Sequence, residues 1–503
     1  MSNSLKISTA GLAIVDKARQ RLGWTKTSTA RWWQDAHTSR ATLRRFWQGD
    51  RIQREIFIAI CQAVGINDWQ SIAEIPEADS EIIPELSTPY LDWNEAPDVE
   101  SFYGRNQELA ELEQWILGDR CKLITIVGIV GIGKTALALA LADRIQSQFD
   151  CLVWRSFQSN LSLTSLLDGF AFAFDQSVVQ DMQQGTIQLI YYLQKRRCLL
   201  ILDGLDAVLS KPEYHQFIQK LSDNRHQSCI LITSREQPNS IEINTKTVRR
   251  LTIKGLQKTA ALELLQARGF TGKEIGISAL IQLYRGNPLA LKLVTPLIQS
   301  VFGGNIAAFL SQNTLVIGDR LLAILKQQFE QLGDLEQEIL YWLAIWQEPV
   351  AFSRLQTHLV ISIDPATVLA GIVALERRSL LEKWVSFAET SFTLQPLVMK
   401  VVTDELVESV AQEIDRVVQS DDIRHFKILR THWLLRPGTD DIAGDFYDKP
   451  LKRLRILHQL WEKLWRMYGA TLPQTLQHIL WLLNDKSPLA IGYIACNITT
   501  LSK

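Results

Sequence analysis

The chain has no long hydrophobic run, few cysteines and almost no net charge, and each shortage excludes a class of proteins. No stretch of about 18 apolar residues occurs, so the sequence predicts no transmembrane helix and no membrane partner. The N-terminus lacks the apolar core and cleavage site of a signal peptide, and the six cysteines include no CxxC pair. We therefore expect a cytoplasmic protein with buried, reduced thiols and no zinc site. The formal net charge of −1 gives the whole molecule no bulk attraction to nucleic acid.

Charge is distributed unevenly along the 503 residues, a length that predicts roughly two to four domains. The first 70 residues hold eleven Lys and Arg against five Asp and Glu, and their pattern is helical. Residues 71–101 hold nine acidic residues, four prolines and no Lys or Arg, a composition that disfavours helix and sheet. We interpret residues 1–72 as a helical domain and residues 73–101 as an acidic, proline-containing linker.

Short apolar runs alternate with amphipathic helices between residues 102 and 254. The runs are rich in leucine or β-branched residues and lie at 122–127, 151–154, 198–202, 229–233 and 250–253. Continuous apolar strands that are separated by helices predict a parallel sheet with both faces covered. We therefore expect an α/β domain over residues 102–254.

The rest of the chain is mainly helical in pattern. Residues 255–318 predict a small helical domain, and residues 319–415 predict helices followed by an alternating segment, EKWVSFAETSFTLQP, that is typical of a hairpin. Helices with a late hairpin suggest a winged-helix domain, and residues 416–503 are mostly amphipathic helix. The predicted fold class is therefore multidomain α/β, with helical domains before and after the α/β domain in the sequence.

The segment GIVGIGKT, residues 128–135, fits the phosphate-binding pattern GxxxxGK[ST]. It follows an apolar strand and opens a helix, which is the context that this pattern requires. Its glycines allow a tight turn that aims backbone N–H groups at phosphate oxygens. These glycines are Gly128, Gly131 and Gly133. Lys134 can reach the terminal phosphates, and the Thr135 hydroxyl is a hard oxygen ligand that suits Mg²⁺, so the sequence predicts a P-loop NTPase domain.

Charged residues follow two of the later strands. Asp203 ends an apolar strand, and ligands bind at the carboxyl ends of strands in open α/β sheets. We expect Asp203 to be the Mg²⁺ partner of Thr135, with an exposed strand-end acid as the alternative. Asp206 is a candidate for positioning an attacking water, with a helix cap as the alternative. Arg235 is a candidate for sensing the terminal phosphate, with a surface salt bridge as the alternative.

Five segments occur in a fixed order along the chain: FYGR, GIVGIGKT, LLILDGLD, ILITSRE and RGNPLALKL. This order resembles the NB-ARC ATPases of the STAND type, the nucleotide switch that plant disease-resistance proteins, apoptosis regulators and many bacterial regulators share. The chain looks closest to the cyanobacterial forms, over residues 1–415 and, more loosely, over 420–503. The resemblance implies that ATP or ADP binds together with Mg²⁺.

The same resemblance implies roles for further residues. The FxGR segment of the family holds the adenine, which implies Tyr103 and Arg105, and the proline of its GxP element packs on the base and sugar, which implies Pro288. The first sensor arginine of the family matches Arg235. The family's winged-helix histidine, which contacts the ADP β-phosphate, is replaced here by the uncharged Gln395, a change that puts the strength of the hold on ADP in doubt.

Two departures from the family pattern favour slow hydrolysis. Gly204 stands where many members carry a second acid directly after the strand-end aspartate. LDGLD instead resembles the NACHT-like variant of the STAND proteins, in which Asp206 matches the later acid. Gln395 is the second departure.

The N-terminal domain resembles a helix-turn-helix. A helix around residues 28–36, a short turn and a helix from the N-cap Ser39 to Trp47 would carry three arginines on the second helix. These are Arg40, Arg44 and Arg45. They suit contacts to DNA phosphates or base edges, and they equally suit docking onto the acidic segment or onto a partner protein. The aromatic residues of this region are interpreted as the core of a small domain; they are Trp24, Trp32, Trp33, Phe46 and Trp47.

These observations favour a regulatory switch that is at most a slow ATPase. In this interpretation ADP holds the nucleotide-binding, helical and winged-helix parts closed, and exchange for ATP exposes a surface for protein partners or for a homo-oligomer. One alternative is an ATP-dependent, DNA-binding transcription regulator. The other is a truncated interaction scaffold that holds nucleotide without switching, because family members commonly carry sensor repeats after the winged helix.

Overall fold

The computed structural model describes residues 4–27, 29–66, 69, 72–73, 90–99, 101–157, 161–174, 182–238, 241, 245–312, 315–359, 364–385, 389–435 and 455–502. Most of the acidic segment at 73–101 lies outside these residues, so its interpretation as an extended linker stays a prediction.

The strands of the described chain are β1 Ser4–Leu5, β2 Ile52–Gln53, β3 Tyr90–Asp92, β4 Leu123–Val127, β5 Cys151–Ser156, β6 Cys198–Asp203, β7 Cys229–Ser234, β8 Val248–Thr252, β9 Val350–Ala351, β10 Leu381–Val385 and β11 Thr390–Leu394.

The helices begin with α1 Thr9–Arg21, α2 Ala30–Asp35, α3 Arg40–Gln48, α4 Arg54–Ala63, α5 Asn106–Glu113, α6 Lys134–Ile145, α7 Leu163–Ala173, α8 Met182–Lys195 and α9 Pro212–Asp223. They continue with α10 Lys258–Ala267, α11 Ile277–Leu283, α12 Pro288–Phe302, α13 Ile306–Leu310, α14 Asp319–Glu330, α15 Asp334–Trp346, α16 Phe352–His358 and α17 Pro365–Arg377. The last are α18 Pro396–Ser420, α19 Ile428–Thr431, α20 Arg455–Tyr468, α21 Leu472–Leu482, α22 Pro488–Ile491 and α23 Ile494–Leu501.

The chain divides into two compact units. The first comprises residues 1–96, 144–202 and 207–230, and the second comprises residues 97–143, 203–206 and 231–503. Every contact of the candidate site described below joins residues of the second unit.

In the first unit, helices α1 to α4 enclose a core of buried apolar side chains that includes Trp32, Phe46 and Phe57. The indole N–H of Trp32 donates to the carbonyl of Ile60 at 3.1 Å, so this large ring is buried without an unpaired donor. The other tryptophans of this region, Trp24, Trp33 and Trp47, pack partly buried against the same core. The aromatic residues of the N-terminal domain are therefore packed in its core.

The central sheet has six strands in the order β3-β5-β6-β7-β4-β8. Strand β3 pairs in parallel with β5, and β4 pairs in parallel with β8. Every residue of β4, β6 and β7 is buried, which accounts for their continuous apolar sequences. The parallel α/β sheet that the sequence predicts is confirmed.

A buried ion pair joins the first two strands of this order. Asp92, at the end of β3, lies 2.8 Å from the guanidinium of Arg155 on β5, and both side chains are less than a tenth exposed. Because an unpaired buried charge is costly, this pair specifies how the short edge strand β3 pairs with β5.

The second unit continues from the sheet into helices α10 to α23. Strands β10 and β11 form an antiparallel hairpin, and β9 pairs with β11. The hairpin that the alternating segment predicts is thus present, while the assignment of residues 319–415 as a winged-helix domain stays a prediction. None of the helices in the described ranges combines the length and the apolar character that crossing a bilayer requires.

All six cysteines are free thiols, and only Cys496 is exposed. Burial raises the pKa of the Cys61 thiol to about 12, so this group is an unreactive part of the core.

Candidate phosphate-binding site

The glycine-rich loop lies between two regular elements. Strand β4 ends at Val127 and helix α6 begins at Lys134. Gly131 and Gly133 have φ values of 75° and 99°, in the left-handed region that side chains other than hydrogen rarely adopt. Among the described residues, the amides of these two glycines make no hydrogen bond, so both donors remain available to an anion.

The carbonyl oxygens of the same loop are all occupied. Lys134 Nζ donates to the carbonyls of Gly128 and Ile129 at 2.8 and 3.1 Å. Asn287 Nδ2 donates to Val130 O at 3.0 Å, the Leu289 amide to Gly131 O at 3.2 Å, and Arg105 Nη2 to Ile132 O at 2.9 Å. Within the loop and α6, the Ile132 amide donates to Ile129 O at 3.3 Å and the Leu137 amide to Gly133 O at 3.0 Å. The loop therefore has its acceptors satisfied from within the protein and its glycine donors free, which is the arrangement that binds phosphate.

Lys134 supplies a positive charge beside the loop. Burial lowers the pKa of its ammonium group to about 8; the carboxylates of Asp206 and Asp203 oppose this shift, and the guanidinium of Arg235 adds to it. The ammonium group is held by two carbonyl oxygens of its own loop and by no directly bonded carboxylate among the described residues. A phosphate would supply the negative charge that this buried cation lacks.

Asp203 ends β6 and is 3% exposed. Its Oδ1 accepts hydrogen bonds from Thr135 Oγ1 at 2.8 Å and from Thr233 Oγ1 at 2.5 Å. Burial raises the pKa of this carboxyl group, and the two hydroxyl donors and Lys134 act against that rise. The sequence motifs assigned no role to Thr233, which the structure places directly on the strand-end acid.

The oxygen atoms of Thr135 and Asp203 fit a magnesium ion. A hydroxyl and a carboxylate side by side are hard oxygen donors, the kind that Mg²⁺ prefers. In the described part of the chain, no group of three or more His, Cys, Asp and Glu side chains could hold a metal ion by itself. Mg²⁺ at this position would therefore take most of its ligands from phosphate oxygens and water.

Asp206 and Arg235 are bound to each other. The backbone N–H of Arg235 donates to Oδ1 of Asp206 at 2.7 Å, and Arg235 Nε donates to Oδ2 at 2.5 Å. Asp206 is 10% exposed and Arg235 is 23% exposed, measured on their side chains. Both oxygens of Asp206 are thus engaged, while the terminal nitrogens of Arg235 make no hydrogen bond within the described residues.

Arg105, which the family resemblance places at the adenine, binds the loop and a helix. It is 8% exposed, and besides Ile132 O it contacts Glu108 Oε1 at 2.9 Å. Tyr103 lies partly buried two residues earlier. The FYGR segment is therefore brought to the outer side of the phosphate loop.

The start of α12 lies against the same loop. Pro288 is its first residue, and Pro288 Cγ lies 3.9 Å from the position that a Cβ on Gly133 would take. Asn287, which sequence reasoning did not assign to the site, is 2% exposed and contacts both the loop and the helix start. The pattern Asn-Pro before an apolar run, a helix N-cap followed by proline at the first helical position, was the available signal.

Gln395 is not brought to this cluster by any hydrogen bond. It is the N-cap residue of α18, and its side chain makes no hydrogen bond within the described ranges. The contribution that the resemblance implies for Gln395 therefore stays a prediction.

The segment that follows Arg235 contacts the end of α17. The backbone N–H of Gln237 donates to the Arg377 carbonyl at 2.9 Å. Arg378 lies 3.3 Å from Glu236 and 2.9 Å from Glu336, so its guanidinium joins the segment after β7 to the start of α15. Burial raises the pKa of Glu236, and Arg378 opposes that rise.

The arginines of α3 are partly engaged within the N-terminal domain. Arg40 Nε donates to the Thr27 carbonyl at 2.8 Å, and Arg45 Nη2 donates to the Arg51 carbonyl at 3.1 Å. Arg44 is exposed. All three arginines remain exposed, Arg40 and Arg45 with these bonds to backbone carbonyls, and DNA binding stays a prediction.

The buried strand, the glycine loop, Lys134 and the Thr135–Asp203 pair together define a P-loop nucleotide-binding domain. Residues 105–274 match the family described as the NB-ARC domain. This part of the chain is therefore an NB-ARC domain, and the recognition made from the ordered motifs is confirmed.

Two relatives extend this comparison. An uncharacterized WD repeat-containing protein of the cyanobacterium Nostoc sp. is 32% identical over an alignment of 581 positions that covers 99% of this chain and 45% of that protein. A probable disease resistance protein of Arabidopsis thaliana is 23% identical over 278 positions, which cover 52% of this chain and 15% of that protein. The Nostoc relative agrees with the predicted cyanobacterial type, and the chain spans less than half of the length of either relative.

Among solved structures, a STAND protein with a tetratricopeptide repeat sensor from Pyrococcus horikoshii is similar at a TM-score of 0.32 and 17% identity, over 81% of this chain and 57% of that one. A similarity of this size carries no argument about function.

A methyl group on Gly131 is expected to destabilise the protein more than one on Gly204. The two glycines have φ values of 75° and 76°, so alanine meets the same backbone strain of about 1–2 kcal/mol at both positions. At Gly131 the new Cβ would also lie 2.7 Å from Leu289 Cβ, whereas at Gly204 it meets nothing within 4 Å.

Thermal unfolding of nucleotide-free Gly131→Ala and Gly204→Ala tests this difference. We expect the lower midpoint for Gly131→Ala. Equal midpoints would show that Leu289 of α12 does not sterically restrict the loop at Gly131.

Proposed function

We propose that this chain is a signal-transducing nucleotide switch that binds ADP or ATP with Mg²⁺ at residues 128–135 and hydrolyses ATP slowly. The observation that carries the proposal is the phosphate loop itself: its carbonyls are occupied, and within the described chain the amides of Gly131 and Gly133 are free and the partly buried Lys134 is hydrogen-bonded to no carboxylate. The NB-ARC match over residues 105–274 supports adenine nucleotide as the ligand.

The residues of the loop divide the recognition of the phosphates between them. The amides of Gly131 and Gly133 and the N-terminus of α6 offer donors and partial positive charge. Lys134 adds a full charge once its ammonium group leaves the loop carbonyls. Thr135 and Asp203 supply the oxygen atoms that would hold Mg²⁺, whose charge would neutralise part of the phosphate tail.

We expect slow hydrolysis because the carboxylates of Asp203 and Asp206 already have partners within the protein. Both oxygens of Asp206 are bound to Arg235, and Asp203 Oδ1 accepts two hydroxyl groups. Gly204 supplies no carboxylate next to Asp203. With Asp203 assigned to Mg²⁺ and Asp206 bound to Arg235, neither carboxylate would be left to orient a water molecule at the terminal phosphate, which suits a switch better than a rapid enzyme.

Arg235 is suited to transmit the state of the nucleotide. Asp206 orients its guanidinium, and the next two residues along the chain bind α17 through Glu236 and Gln237. A shift of Arg235 toward or away from a terminal phosphate would therefore pull on the residue 236–237 segment and on α17. In the proposed cycle ADP favours these contacts and ATP weakens them.

Such a cycle works only through different affinities of the nucleotides for the two states. We propose that the ADP form is closed and that the ATP form exposes a surface for protein partners or for further copies of the chain. The uncharged Gln395, in place of the family's histidine, would make ADP easier to release than in relatives that carry the histidine.

Removal of the Lys134 ammonium group is expected to abolish nucleotide loading. Protein purified without added nucleotide is denatured, and the released nucleotides are identified by chromatography. We expect ADP in the parent protein and in Lys220→Ala, a control on the exposed side of α9, and none in Lys134→Ala. Nucleotide-stripped, folded parent protein that takes up no adenine nucleotide in the presence of Mg²⁺ would end the proposal.

Binding of ADP is expected to take up a proton in mildly alkaline solution. The free protein has its Lys134 pKa lowered to about 8, and a bound phosphate raises it toward its usual value. Above pH 8 the affinity therefore falls as the pH rises, by up to about tenfold per pH unit, and well below pH 8 this group contributes no pH dependence.

Calorimetry near pH 9 in two buffers of different protonation enthalpy measures this uptake. A titration of the parent protein at pH 7 is the control, because Lys134 is already mostly protonated there and the uptake is expected to be nearly absent. The same uptake at pH 7 as at pH 9 would assign the proton to another group.

Loss of the Arg378 guanidinium is expected to speed the release of ADP. Because Arg378 joins Glu236 to Glu336, its removal frees the segment that follows Arg235. These groups are partly exposed, so the expected acceleration is about threefold to tenfold. Release of a fluorescent ADP analogue by stopped flow compares Arg378→Ala with Arg320→Ala, an exposed residue of α14. Identical release rates would show that the contacts of Arg378 at the end of α17 do not affect ADP binding.

A further inference from the structure

The phosphate loop is held from outside by three residues that are distant from it in sequence. Arg105, Asn287 and Leu289 supply the donors for the carbonyls of Ile132, Val130 and Gly131. Lys134, which donates to the carbonyls of Gly128 and Ile129, must give up these partners when it turns to a phosphate. The three outer donors can keep theirs, because they approach the loop through its carbonyl oxygens and not through its amides.

We infer that Asn287 is a positioning residue for the phosphate site: by holding the Val130 carbonyl it keeps the amides of Gly131 and Gly133 directed at the anion. This inference rests on the proposed nucleotide-binding function and adds a residue to it from the helical region that follows the sheet. Asn287 touches the loop backbone and is not a ligand of the phosphate.

The two ends of the Asn287 amide are assigned by their surroundings. Its Oδ1 accepts the backbone N–H of Ala290 at 3.1 Å and so caps α12, which leaves Nδ2 as the donor to Val130 O at 3.0 Å. At 2% exposure, water cannot replace either partner. One side chain therefore joins a helix start to a loop that is 157 residues away in the sequence.

The backbone around Asn287 holds it in this position. Gly286 has a φ of 64°, and its carbonyl accepts the Leu256 amide at 2.8 Å. A Cβ on Gly286 would lie 2.3 Å from the Leu256 carbonyl, so only glycine allows the approach. The Leu289 amide bonds the next loop carbonyl, Gly131 O, at 3.2 Å. A displacement of the loop would thus break the contacts of Asn287 and Leu289 together.

Asn287→Ser separates the two roles of this side chain. Serine is also a good N-cap, so α12 keeps its cap, but its short hydroxyl side chain cannot both cap α12 and reach Val130 O. Asn305→Ser is the matched control, because Asn305 caps α13 through the Ala308 amide at 3.0 Å and has no bond to the loop. Both variants replace one capping asparagine by serine.

The affinity for ADP with Mg²⁺ is measured by calorimetry on full-length, nucleotide-stripped protein. We expect Asn287→Ser to bind about tenfold more weakly than the parent, because a buried carbonyl loses its donor, and Asn305→Ser to bind as the parent does. An unchanged affinity for Asn287→Ser, or an equal loss in both variants, would overturn the inference.

Hydrogen exchange of the Ile132 and Leu289 amides, which donate to the loop carbonyls of Ile129 and Gly131, gives a second measurement on the nucleotide-free proteins that does not depend on nucleotide. We expect faster exchange in Asn287→Ser and parent-like exchange in Asn305→Ser. If the parent itself binds no nucleotide, the proposed function fails while this measurement still decides whether Asn287 holds the loop.

A second variant covers the case in which Asn287→Ser does not fold. Asn287→Asp keeps the size of the side chain and the capping oxygen, but it faces the Val130 carbonyl with an oxygen atom. We expect weaker binding of ADP and faster exchange of the Ile132 and Leu289 amides, and parent-like values for both would overturn the inference.

Discussion

The structure depends on one constraint of backbone chemistry: a loop that offers its amides to an anion must have its carbonyl oxygens satisfied by something else. Unpaired backbone groups are costly when buried, and most of this loop is buried. Here the side-chain partners are a lysine from the loop itself, an arginine from the segment between β3 and α5, and an asparagine from the start of α12. Backbone amides of the loop, of α6 and of α12 satisfy the other carbonyls. The surrounding chain is therefore part of the phosphate site through these bonds.

The charged groups around the loop also differ in how well they are paired within the protein. Three ionisable groups, Asp203, Asp206 and Arg235, lie close enough to Lys134 to influence its pKa. Two of them, Asp206 and Arg235, neutralise each other directly. Asp203 accepts two hydroxyl donors, whereas Lys134 is hydrogen-bonded only to carbonyl oxygens among the described residues and keeps a lowered pKa despite the two nearby carboxylates, so the lysine is the group with most to gain from a phosphate.

Much of the nucleotide site could be predicted because its parts are local in sequence. Gly131, Lys134 and Thr135 belong to one eight-residue segment, and a strand–turn–helix context is enough to orient them. The position of Asp203 could be predicted because the carboxyl ends of parallel strands all lie at the same edge of the sheet, where ligands bind. The pairing of Asp206 with Arg235 could not be predicted. In the sequence each residue had a separate candidate role, and only the fold places them within hydrogen-bond distance of each other.

The amino-acid sequence by itself determined the parallel sheet, the NB-ARC domain and the elements that carry the phosphate site, since apolar periodicity and short glycine-containing motifs act over a few residues. Only the tertiary structure decided that Thr233 bonds Asp203, that Arg105 bonds the loop and that Asn287 joins the loop to α12. These contacts connect residues 27 to 157 positions apart. Their hydrogen bonds depend on atoms meeting within about 3 Å, and packing, which no local pattern encodes, sets those distances.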